Sequence, residues 1–374
     1  MILHFLTDEK FSDYVVQQFS APEMKSDFVC LNTSGDMDYV KMRDQILVMS
    51  PYTEGFSRFL EHMGDYSAIV LHGMHWGPWQ SYILRKVPDH VKVAWYFWGG
   101  EIYGRHELKD RFYAPLTKFL YKLHTFKNRD KRDLSWELPL ELYKRVDYCL
   151  TAEQEEFEFA KQFTGASFEY LWYNCYSIDE TVGALMNSQC EGNNIWIGNS
   201  AAAENNHFDV LWMLWKIGMH RKLKEEKVII PLSYGSQWMR NIVLKYGRIL
   251  LGKRMQALTE FMPREEYNKL MLSCSTMIIG YWEPAAQGNI ITALWLGMRI
   301  YLSEKSMTYS FFKRLGANVF SIESDLKKYQ FTPLSEEVRA ENRRVLSKWF
   351  SKQHVMESVQ NVVNELSEPK KIND

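Results

Sequence analysis

Along most of its length this chain alternates short β-branched or aromatic runs with amphipathic helical stretches, and it does so twice, with a polar break between. Strand-like runs lie at 2–6, 28–31, 45–49, 68–71, 91–97, 148–151 and 168–172. Helical patterns fall between them, as at 53–63, 79–85 and 153–163. Strands interleaved with helices demand a mostly parallel sheet covered on both faces. The polar, glycine-bearing stretch 187–194 interrupts the pattern and reads as an interdomain linker. Beyond it the alternation restarts: strand 195–198, helix 204–216, strands 228–232 and 248–251, helix 263–273 and strand 277–281. Helix 289–296, strand 299–302 and a short strand at 319–322 follow. A last helix, 335–366, is long enough to reach back across a hinge. The expected fold is α/β, with two Rossmann-like domains facing across a cleft: 1–186, 194–334, and a C-terminal helical segment 335–374. A length of 374 residues suits two such domains.

Composition narrows the function classes. An apolar fraction of 46% with 24% charged residues belongs to a folded chain, not a disordered one. A net charge of −1 supplies no basic field for nucleic acid. The five cysteines contain no C-x-x-C pair, so neither a zinc ribbon nor a disulfide framework is indicated, and a reducing cytoplasm is the simplest compartment. The first residues, Met1 to Asp8, read as a strand and not a signal peptide. No apolar run is long enough to span a bilayer, so a membrane would be met peripherally.

Three turns at strand ends in the second half carry small or polar residues. Gly198-Asn199-Ser200 follows strand 195–198 and precedes a helix, Ser233-Tyr234-Gly235 follows strand 228–232, and Trp282-Glu283-Pro284-Ala285-Ala286-Gln287-Gly288-Asn289 lies between strand 277–281 and helix 289–296. A helix N-terminus with a hydroxyl and open backbone N–H groups is what a diphosphate needs. Ser and Asn also cap helices with no ligand at all. In an open parallel sheet, however, such strand ends line one crevice. None of the turns is a Walker loop or a G-x-G-x-x-G, which removes support from ATPase and dehydrogenase readings.

In the first half, His72 and His75 follow one strand, and Glu101 follows the Gly99-Gly100 pair after the next. Glu101 is expected to project into the interdomain cleft as a general base or charge stabiliser, with His72 or His75 assisting. An exposed loop glutamate is the plainer alternative. The H-x-x-H spacing of the histidines has no further ligands around it, and Asp36-Met37-Asp38 sits in a turn where aspartates are common, so no metal site is expected. The stretch 103–132 interleaves lysines and arginines with Phe112, Tyr113, Phe119, Tyr121 and Phe126. It suits an anionic membrane surface, or equally a core-facing helix with a solvated basic face.

Several of these pieces, in this order, resemble the bacterial 4-alpha-L-fucosyltransferase family, TDP-N-acetylfucosamine:lipid II N-acetylfucosaminyltransferases. They are His72-Gly73, Trp98-Gly99-Gly100-Glu101-Ile102-Tyr103, Gly198-Asn199-Ser200 with Asn205 and His207, then 231–235, 267–274 and Gln287-Gly288. The resemblance runs over roughly residues 68 to 325. It implies a GT-B fold, with an N-terminal acceptor domain and a C-terminal nucleotide-sugar domain. It also implies a peripheral inner-membrane enzyme without cofactor or bound metal, whose acceptor is a polyprenyl-diphosphate-linked glycan. Glu101 occupies the place of an acidic residue in the family's Trp-Gly-x-Asp-like motif, while the region of Glu283 and Pro284 departs from the family pattern. On this reading Gly198, Asn199, Ser200, Asn205, Ser233, Tyr234, Gly235, Gln287, Gly288 and Asn289 bind the donor. The rivals are a transferase of the same fold with another donor and a soluble, capsule or lipopolysaccharide acceptor, and a non-catalytic glycan-binding or assembly protein.

Overall fold

The apolar runs become strands, and the most continuous ones become central strands buried on both faces, as parallel sheets require. The structure is a computed structural model and describes the chain apart from residues 34–35, 75–76, 109–110, 128–135 and 371–374. It contains two units. The first combines Met1–Arg105, Leu134–Ser177 and Lys352–Asp374; the second combines His106–Asp133 and Ile178–Ser351.

The first unit holds a seven-stranded sheet of β1 (Ile2–Thr7), β2 (Ser26–Leu31), β3 (Leu47–Met49), β4 (Ala68–His72), β5 (Lys92–Tyr96), β6 (Tyr148–Thr151) and β7 (Glu169–Trp172). Their spatial order is β3-β2-β1-β4-β5-β6-β7, and every pairing is parallel. All five residues of both β4 and β5 are buried. The second unit holds six strands: β8 (Asn194–Ile197), β9 (Val228–Pro231), β10 (Met255–Leu258), β11 (Cys274–Ile279), β12 (Arg299–Leu302) and β13 (Phe320–Ser321). Their order is β10-β9-β8-β11-β12-β13, again all parallel. Strand order reverses beside β1 and beside β8, so each sheet has a switch point, at β1/β4 and at β8/β11. Both units are Rossmann-like, and the α/β fold class agrees with the sequence.

Several boundaries differ from the sequence reading. Residues 248–251 are not a strand; they end the helix Gln237–Leu251, and the strand is Met255–Leu258. The Arg-Ile-Leu-Leu run completes the buried stripe Met239, Val243, Gly247 and Leu251, a helical period that a short window misses. The single helix 335–366 is two, Glu336–Phe350 and Lys352–Ser367, broken by extended backbone at Ser351. The first stays with the second unit and the other belongs to the first. There it is held by Lys92 Nζ on the Glu365 carbonyl, by Tyr148 Oη on Glu365 Oε1 at 2.8 Å, and by a Lys370–Asp147 ion pair at 2.8 Å.

The stretch 187–194 does not mark the change of unit, because 178–193 already packs on the second one. Trp295 Nε1 donates to the Met186 carbonyl at 2.9 Å and Arg343 Nη2 to that of Ser188 at 2.7 Å. The described part of 103–132 from His106 onward likewise belongs to the second unit. Asn206 fixes it by accepting from Ala114 N at 2.7 Å while donating to the Phe112 and Gly280 carbonyls. Asp209 then accepts from Leu116 N, Thr117 N and Thr117 Oγ1, all within 2.9 Å, so it caps the helix Pro115–Lys127 from a neighbouring helix.

Candidate functional site

At the β8/β11 switch point the first of the three turns is built around a glycine. Gly198 has φ +69, and a Cβ there would lie 2.3 Å from His207 Cε1 and 2.6 Å from Asn205 Oδ1. No side chain fits. Asn205 is fully buried: its Oδ1 accepts from Asn199 N at 3.0 Å, and its Nδ2 donates to Ser200 Oγ at 2.9 Å and Tyr281 Oη at 2.8 Å. Tyr281, just beyond β11, donates in turn to Asn199 Oδ1 at 3.0 Å. Burial raises the Tyr281 hydroxyl far above its ordinary range, so it stays a donor. His207 Nε2–H donates to the Ser200 carbonyl at 2.8 Å, and burial holds the ring neutral by lowering its pKa to about 4.

The second turn is stitched to the first. Ala201 N donates to the Tyr234 carbonyl at 2.8 Å and Ser236 N to that of Ala201 at 3.2 Å. Gly235, at φ +104, lies so close that a Cβ would meet Ala201 C at 2.7 Å. Ser233 presents its carbonyl to Arg240 Nη2 at 2.8 Å, and Tyr234 is exposed. The third turn runs from Tyr281 to the helix Gln287–Trp295, whose N-cap Ala286 is left-handed at φ +59. Gln287, Gly288 and Asn289 are half-buried in its first turn, where backbone N–H groups lack intrahelical acceptors. Asn289 Nδ2 donates to Tyr267 Oη at 3.1 Å, and the Tyr267 ring stands edge-on to Trp196 of β8 at 4.8 Å. Thus the donor-binding candidates of the second unit gather at the carboxyl ends of β8, β9 and β11. Within that group Ser200 and Asn205 frame the turn from inside, while Asn199, Tyr234 and the 287–289 turn have accessible surface.

Sequence reasoning left Glu283 outside the candidate set. It is half-buried in the third turn, and burial, with the Glu204 carboxylate as the lesser cause, pushes its carboxyl up to about 8. Beside it, Lys305 Nζ lies 4.0 Å from the centre of the Trp282 ring. The signal was the Glu-Pro step after a buried strand, but its meaning depends on which other strand ends lie nearby. Tyr281 was missed as well, because a strand-terminal tyrosine looks like core until its hydroxyl partners are known.

In the first unit the two described candidates, His72 and Glu101, sit in separate hydrogen-bonded settings. His72 ends β4 and is buried; its Nε2 lies 3.1 Å from His4 Nδ1 on β1. Burial lowers the His72 pKa to about 3, so one neutral ring donates to the other. Glu101 does not project. It is only 4% exposed, and Oε1 accepts from Trp95 Nε1 at 2.7 Å and Trp98 N at 3.1 Å. The short helix Gly100–Tyr103 turns it inward, against the turn that the double glycine makes. His75 lies outside the described residues, as do Lys109, Arg129, Lys131 and Arg132 of the basic stretch.

No protein-family model and no curated protein matches the sequence. Solved structures do match over nearly the whole chain. Sucrose-phosphate synthase from Thermosynechococcus elongatus has a TM-score of 0.63 at 10% identity, covering 98% of both chains. A glycosyltransferase from Rickettsia africae has a TM-score of 0.65 at 10% identity, again covering 98% of each. HepE from Anabaena, in complex with UDP and glucose, has a TM-score of 0.61 at 11% identity, covering 98% of this chain and 99% of its own. At such identities the likeness is one of fold, and the fold of this chain is GT-B, the two-unit architecture of these glycosyltransferases.

Proposed function

We propose that this protein is a glycosyltransferase that holds the diphosphate of a nucleotide-sugar at the β8/β11 switch point. The observation that carries the reading is the knitting of three small-residue turns at the carboxyl ends of β8, β9 and β11, the crevice where open α/β sheets take ligands. Asn199, the backbone of 198–201 and the N-terminus of the helix Gln287–Trp295 would face the diphosphate. The helix dipole and N–H groups then stabilise the departing charge without a bound metal, and chelation with EDTA should leave turnover unchanged. Glu283 serves at the reacting end, as a carboxyl held near neutrality.

The finer reading rests on the family resemblance: a deoxy-amino sugar of the N-acetylfucosamine kind, carried by TDP, passes to a polyprenyl-diphosphate-linked glycan at the inner face of a bacterial membrane. Residues 103–132 would meet the anionic surface. No helix among the described residues is long and apolar enough to cross a membrane. A thermal-shift screen against TDP, UDP, GDP and CMP tests the core of the proposal. One nucleotide should raise the melting temperature, and Asn199→Ala with Ser200→Ala should abolish that rise. Absence of stabilisation by all four would overturn the assignment.

A further inference from the structure

Three helices of the second unit pack into one block, and each carries exposed apolar and basic side chains. The helix Pro115–Lys127 is capped by Asp209 of the helix His207–Lys216. His124 stacks at 3.8 Å on Trp238 of the helix Gln237–Leu251. Phe208 and Tyr246 join the second helix to the third, with ring centres 5.5 Å apart.

Each helix then presents large apolar side chains to solvent. Phe119, Leu123 and Phe126 follow one another at helical spacing, with Phe126 65% exposed. Trp212 and Trp215 are both exposed, their rings stacked with centres 4.9 Å apart. On the third helix Ile249 is 71% exposed.

Charge is just as one-sided. The first helix contributes Lys118 and Lys122, and the third the exposed Lys245 and Arg248, Arg240 being turned back to the Ser233 carbonyl; neither helix contains an Asp or Glu. The middle helix has Lys216 and a single acid, Asp209, which is turned inward as the cap. The whole chain has 45 Lys and Arg against 46 Asp and Glu, so this block departs from the average of the molecule.

We infer that this three-helix face docks on an anionic lipid bilayer, with Trp212, Trp215 and Phe126 at headgroup depth and Lys216, Lys245 and Arg248 on lipid phosphates. It extends the membrane partner proposed for 103–132 onto two further helices of the nucleotide-binding unit. A second copy of the chain is the weaker occupant, because protein interfaces are depleted in lysine, whereas Lys118, Lys122, Lys216 and Lys245 are interleaved with the aromatics here. Long basic side chains beside an apolar face can instead lay their stems on lipid and reach up to the phosphates.

Flotation of the full chain with vesicles of phosphatidylglycerol and phosphatidylcholine in equal parts tests this. The wild type should float, less so at high salt, and not with phosphatidylcholine alone. Trp212→Ser with Trp215→Ser, and separately Lys245→Glu with Arg248→Glu, should each lower partitioning by about tenfold or more. Both pairs lie outside the three turns and should keep nucleotide stabilisation. A wild type that does not float, or variants that float as it does, would overturn the inference. So would a wild-type dimer without vesicle binding that the tryptophan variant converts to monomer. Flotation without nucleotide stabilisation would overturn the transferase reading alone, and nucleotide stabilisation without flotation would overturn only the docking face.

Discussion

Gly198 shows how little freedom single residues have at the switch point. Its left-handed backbone and the contact a Cβ would make with His207 act together. Gly198→Ala should therefore cost at least about 1–3 kcal/mol in urea unfolding, from the backbone alone. Asn205→Ala strands the Asn199 N–H and loosens Ser200 and Tyr281. A loss of roughly 1–3 kcal/mol is expected, together with loss of nucleotide stabilisation in the thermal-shift assay. His207 makes a pH prediction. Its folded pKa is lowered from 6.5 to about 4, so its neutral form supports the fold fully above 6.5, and that support drains away as pH falls toward 4. The unfolding midpoint of the wild type should drop over this window, and His207→Asn should flatten the profile. Glu283 runs the other way, since a raised carboxyl favours the fold at low pH and opposes it as pH climbs through about 8. Its catalytic test is Glu283→Gln, which should lower kcat by about a hundredfold or more with donor affinity retained.

Among the elements, the cap of the helix Pro115–Lys127 is the most informative. It comes from Asp209, some ninety positions away in sequence, and holds two backbone N–H groups and one hydroxyl. Asp209→Ala should cost about 1–2 kcal/mol, read as faster hydrogen exchange at the start of that helix and weaker vesicle binding. Periodicity made the alternation of strands and helices, the two-unit plan and the three turns legible, because burial on both faces imposes continuous apolar runs. It could not reveal a cap supplied from another element, nor the break at Ser351, whose surroundings are helical on both sides. Arg248 to Leu251 look like a strand in isolation, and only the longer stripe from Met239 shows the helix. Glu101 was misplaced for a related reason. A carboxylate after two glycines suggests a loop, while the indole of Trp95 that draws it inward belongs to the core.

At the scale of the whole molecule, the helix Lys352–Ser367 is a structural part of the first unit. Val355, Val359, Val362, Val363 and Leu366 are all buried there, each contributing on the order of 1.5–3 kcal/mol by leaving water. A chain ending at Ser351 should thus lose amide protection in β1 and β4 while keeping it in β8 and β11, as hydrogen exchange would record. The same arrangement sets an order of assembly during synthesis. A ribosome delivers this polypeptide from its N-terminus, yet the first unit waits for residues near the other end, whereas the second has all its parts once Ser351 emerges. The later-made unit can therefore close first, and the seven-stranded sheet must stay open, or be shielded, until the final helix arrives to cover β1.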